Sequence, residues 1–187
     1  MRKALIFIFV ISVGLFASSA QGGNLLKDSQ YDAIKTLNGA FFEEGKKLNE
    51  IQLRLTKLSS YDTAKRYKGT FLDEAVDHVT FTMNLWAHEY RFVKWLPGIR
   101  DEFLLEYLCE LAESLELVKK KTISWHNPVK ATIVQLSQPK YTAPLDADVL
   151  KELEDAQIAM ESGIKLLDKI SAQFSVDVIC SEDRVKK

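Results

Sequence analysis

The sequence is poor in the residues that announce a chemistry. It holds two cysteines and three histidines in 187 residues, and neither type falls into a known signature. Without Cys-x-x-Cys-His, a covalently attached c-type haem is excluded. Neither His-Glu-x-x-His nor Glu-x-x-His occurs, so the metalloprotease arrangement and the paired motif of helical di-iron proteins are both missing. There is no glycine-rich phosphate loop and no Gly-x-Ser-x-Gly elbow. None of the five asparagines opens an N-x-Ser/Thr glycan acceptor.

Long apolar runs are equally scarce. The longest, Ala4 to Phe16, is interrupted only by Ser12 and Gly14 and follows the basic pair Arg2 and Lys3. It falls short of the roughly 20 residues that cross a bilayer. Ser18 and Ala20 sit at the −3 and −1 positions of a signal-peptidase site before Gln21, and no Cys follows to take a lipid. The pattern predicts a cleaved secretory signal over 1–20 and a single domain over 21–187, periplasmic or extracellular, with no membrane span in the mature chain. Removing Arg2 and Lys3 leaves 23 Lys and Arg against 26 Asp and Glu, an acidic balance that gives no case for nucleic acid.

Proline, the strongest helix breaker, appears four times, and all four lie between 96 and 145. The stretches on either side carry apolar residues at helical spacing. Ile34, Leu37, Phe41, Leu48, Ile51, Leu55 and Leu58 predict a first helix over about 30–58, capped by Asp28 or Ser29, with Glu44 in a core-facing slot. A second helix spans about 70–96, stopped by Pro97-Gly98. A third runs over about 99–121, ending on Lys119, Lys120 and Lys121, where positive charge suits a helix C-terminus. The fourth opens at Asp146 as N-cap and carries Leu150, Leu153, Met160, Ile164, Leu167 and Phe174. Between the last two lies a long connection, 122–145, irregular or holding a short helix from Asn127-Pro128 to about Leu136. The whole predicts an all-α fold of four-helix-bundle type.

Residues 73–95 concentrate two histidines, several carboxylates and five aromatics on the second helix. Leu72, Val76, Val79, Met83, Trp86, Tyr90 and Val93 share one face and must be buried. Phe71, Glu74, His78, Phe81, Leu85, His88, Phe92 and Trp95 form a second series roughly opposite. Glu74 and His78 are one turn apart and can meet; His88 lies about 15 Å further along. A zinc, iron or manganese ion held by Glu44, Glu74 and His78 would satisfy all three groups. A structural seam, with His78 bonded to Glu74 or Glu44, accounts for the same residues without a metal. A noncovalent haem between a histidine of this helix and Met160 is a further option, although a methionine at helical spacing is ordinarily core filler.

Other features bear on partners. Glu102, Glu106, Glu110 and Glu113 line one side of the third helix, with Glu116 near it, a stripe suited to a basic partner or to solvent. Trp125 and His126 fall in the connection, where an exposed loop histidine is a candidate for binding. Gly163, inside the fourth helix, suggests close approach of a neighbour. Cys109 and Cys180 form a disulfide if the third and fourth helices are antiparallel, and lie too far apart if they are parallel. With no catalytic motif, the sequence points to a non-catalytic binding or interaction module for a protein or small ligand, without a resident cofactor. The alternative is a metal- or haem-binding bundle using Glu44, Glu74, His78 and His88.

Overall fold

The computed structural model describes residues 26–60, 71–95, 105–140 and 144–174. They form four helices: α1 (Asp28–Ser60), α2 (Phe71–Trp95), α3 (Leu105–Leu136) and α4 (Pro144–Phe174), with no strand among the described residues. α1 packs on α2 and α4, and α3 packs on the same two, closing a ring of four. Paired contacts fix the directions. Phe42 meets Tyr90 while Gln52 meets Thr80, and Trp86 bonds Thr122 while Glu89 bonds Ser114. Lys119 reaches Asp168 and His126 reaches Glu161; Gln30 reaches Gln173 and Arg54 reaches Glu152. Every neighbouring pair is antiparallel, so the chain is an up-down-up-down bundle. No described helix is long and apolar enough to cross a membrane.

The cap of α1 differs from the expected Asp28 or Ser29. Lys27 is the N-cap: its carbonyl accepts from the amides of Gln30 and Tyr31, and its own amide donates to Gln30 Oε1 at 2.9 Å. This is the return half of a capping box. Leu26 and Tyr31, both buried, flank it in the positions of a hydrophobic staple. Gln30 also donates from Nε2 to the Gln173 carbonyl in the last turn of α4, satisfying an acceptor that the helix end leaves open.

α2 buries Leu72, Ala75, Val79, Thr82, Trp86, Glu89 and Val93, a strict alternation of three- and four-residue steps. Val76, Met83 and Tyr90, expected on the buried face, are half-buried on its flank toward α1. The core takes Ala75, Thr82 and Glu89 in their place. Thr82 is accommodated by donating to the His78 carbonyl at 2.8 Å, and Glu89 by Ser114. Trp86 fills the centre: it lies 5.1 Å from the Phe41 ring, donates from Nε1 to Thr122 at 2.9 Å, and covers Gly163 of the diagonally placed α4.

The long connection between the third and fourth helices is not found. α3 continues through 121 to Leu136 with Pro128 inside it, leaving 137–143 between α3 and α4. Lys119 is not a terminal residue; it pairs with Glu116 and with Asp168 of α4, both at 2.9 Å. Beyond it, Thr122, Val129, Thr132, Ile133 and Leu136 are all buried at helical spacing. Burial against α2 and α4 therefore overrides both the β-branched content of this segment and the proline, which costs an interior helix roughly 3 kcal/mol. Asn127-Pro128 reads locally as a helix start but lies mid-helix. α4 begins at Pro144, so Asp146 lies within its first turn and is not its cap. The Pro97-Gly98 stop lies outside the described residues.

Candidate functional site

The residues expected to share a metal are not brought together. Glu44 is mostly buried and lines an opening on the α1–α4 side with Ile51, Asp155 and Ala159, and its carboxylate accepts from Lys47 at 2.8 Å. The Gln52–Thr80 contact sets His78 level with the last third of α1, about ten residues and roughly 15 Å along the axis from Glu44. Glu74 is exposed, and its Oε1 lies 3.6 Å from His78 Nε2, beyond a good hydrogen bond. The His78 imidazole packs edge-on near Phe81, and both its ring nitrogens are buried without a hydrogen-bond partner among the described residues. His88 is exposed and Met160 is fully buried in the core. Among the described residues no group of three or more His, Cys, Asp or Glu is arranged to hold a metal.

The partner-surface candidates divide. Glu110 and Glu113 are exposed on α3, Glu102 lies outside the described residues, and Glu106 is in α3. Trp125 and His126, expected in an exposed loop, are half-buried residues of α3. Trp125 packs on Phe81 of α2 with ring centroids 5.8 Å apart. His126 Nε2 lies 3.2 Å from Glu161 Oε1 on α4. The Gln157 amide and His126 hold the Glu161 carboxyl below its ordinary value, against the opposing effect of burial. Cys109 is half-buried against the core; Cys180 lies outside the described residues.

Glu89 is the buried carboxylate that sequence pattern passed over. It is 1% exposed; Ser114 Oγ donates to its Oε2 at 2.9 Å, and Oε1 has no partner among the described residues. Burial pushes its pKa up, opposed by the Ser114 bond and by His88. Its position one turn after Leu85 and beside His88 offered little warning, since the flanking Tyr90 is the more plausible core residue by type.

A groove of about 630 Å³ opens elsewhere, between α1 and α2, within the usual range for small-ligand sites. Phe41, Phe42, Met83, Trp86 and Tyr90 make its aromatic-rich wall. Phe42 and Tyr90 stack across the helix pair at 4.4 Å with 24° between their planes. Gly45 lies in the middle of the α1 side, where an added Cβ would meet nothing within 4 Å. A larger residue there would project into the groove. Lys46, Arg91 and Lys94 also line it, and no Asp or Glu does among the described residues. Lys46 is engaged: its Nζ donates to Glu43 at 2.7 Å and lies 4.5 Å from the Phe42 ring centroid.

The sequence reading missed this groove, and two signals could have found it. One is the helix-interior glycine, which costs about 1 kcal/mol relative to Ala and so wants a reason. The other is the row Met83, Trp86, Tyr90, whose outer edge continues to Arg91 and Lys94 one turn on. Comparison with protein-family models, with curated proteins and with solved structures gives no match to this chain.

Proposed function

We propose that this is an exported, non-catalytic binding protein whose α1–α2 groove holds a small organic ligand. Export is supported by the basic pair, apolar run and small-residue site of residues 2–20. The binding reading is supported above all by one observation: an aromatic-rich groove of ligand size open between α1 and α2. The absence of catalytic motifs agrees with it.

The test uses phenylnaphthylamine, an uncharged aromatic dye that brightens in apolar surroundings. The purified protein is expected to bind it saturably at one site. A Gly45→Trp variant, whose side chain projects into the groove, is expected to lose that binding while keeping its helical circular dichroism. Non-saturable binding, or unchanged affinity in the folded variant, overturns the proposal.

A further inference from the structure

We infer that the ligand of this groove is a flat aromatic anion, its ring lying against Phe42 and Tyr90 and its acidic group seated at Arg91 and Lys94. The inference rests on the binding reading above and adds the chemical class. Because α1 and α2 are antiparallel, the groove has two unlike ends. Met83 and Asn49 line one; Arg91 and Lys94 line the other, past the stacked Phe42–Tyr90 pair.

A cation in the last turn of a helix is favoured by the helix dipole, so Lys94 alone would carry nothing. Arg91 stands one turn earlier on the same groove-facing edge, and neither residue makes an ion pair among the described residues. Two unengaged cations with no carboxylate beside them repel each other. That arrangement is relieved by an anion, and the guanidinium suits a planar carboxylate or sulfonate. The setting is local, since the chain as a whole has a net charge of −1. A cationic ligand would face the same repulsion with no counter-charge, and the groove excludes it on that ground. The wall decides the other half of the ligand: Phe42, 36% exposed, and the half-buried Tyr90 keep ring surface open to the groove beside their stack, where another ring can pack.

A matched pair of dyes tests this. Anilinonaphthalene sulfonate and phenylnaphthylamine share one aromatic body and differ by the anionic group. At low salt the sulfonate is expected to bind about tenfold more tightly, a difference of about 1.4 kcal/mol. The preference, read as the ratio of the two affinities, should vanish in an Arg91→Gln, Lys94→Gln double variant that keeps its helical circular dichroism. It should also shrink near 1 M salt, where screening acts over about 3 Å. Equal affinities in the parent protein, or a preference that survives the double variant, overturn the inference while leaving the groove reading intact. Sulfonate binding that persists in Gly45→Trp places the anion outside the groove and also overturns it. Failure of both dyes to bind the parent protein sinks the groove reading itself.

Discussion

Two glycines make the residue-scale argument sharp, because helix propensity treats them alike. Replacing either with Ala removes about 1 kcal/mol of helical cost. At Gly45 the new methyl meets open space, so Gly45→Ala should stabilise by about that amount. At Gly163 a Cβ would lie closer than 3.0 Å to three ring carbons of Trp86. The indole cannot yield, being bonded to Thr122 and packed on Phe41. Gly163→Ala should therefore destabilise by roughly 1–3 kcal/mol through overpacking. Urea melts of the two variants would decide, and shifts of the same sign would show the Trp86 placement to be wrong. Glu89 gives a prediction in pH. Its folded pKa is raised by burial, so the folded state holds a proton that the unfolded chain releases. Stability is then greatest below the ordinary carboxylate value of 4.5 and declines as pH rises toward the folded value. Glu89→Gln keeps an acceptor for Ser114 and cannot ionise. It should melt higher than the parent at neutral pH, with the gap closing below about pH 4.5.

At the scale of the element, α3 is the informative case. If Pro128 truly lies inside a continuous helix, Pro128→Ala restores a missing backbone bond and should raise stability by as much as about 3 kcal/mol. If Asn127-Pro128 opened a separate helix, the same change would remove a favourable first-turn residue and lower it slightly. The sign of the change in melting temperature distinguishes them. The four helices themselves were legible from periodicity because each has one face that must be dry. Where α3 ended was not, since Lys119 to Lys121 and Asn127-Pro128 are true local signals that Thr122, Val129 and Leu136 overrule by burial on two neighbours. α2 shows a subtler loss: Val76, Met83 and Tyr90 are more apolar than Ala75, Thr82 and Glu89, yet only the register with α1 and α3 tells which set faces inward. The groove depends on that register too. Arg91 reads along one helix as part of a solvated strip, and becomes a groove residue only when Phe42 and Gly45 are set opposite.

For the whole molecule, the antiparallel arrangement meets the condition on which a Cys109–Cys180 bridge depends. Lys119 is level with Asp168 and His126 with Glu161, so the first turns of α3, where Cys109 sits, lie beside the end of α4 at Phe174. We expect the intact chain to weigh two hydrogens less before reduction than after, and the bridge to contribute roughly 4 kcal/mol by loop entropy. Two free thiols in a non-reducing mass measurement would remove it. A last consequence follows from the bond between Gln30 and the Gln173 carbonyl, 2.6 Å long and spanning 143 residues of sequence. The first turn of α1 and the last turn of α4 are neighbours, so the path through the bundle is nearly a closed circuit. Each helix touches the one before and the one after, and no packing contact depends on which connection is cut. The architecture should tolerate circular permutation, with the chain opened at the turn over 137–140 and closed by a short linker between the present ends of the bundle.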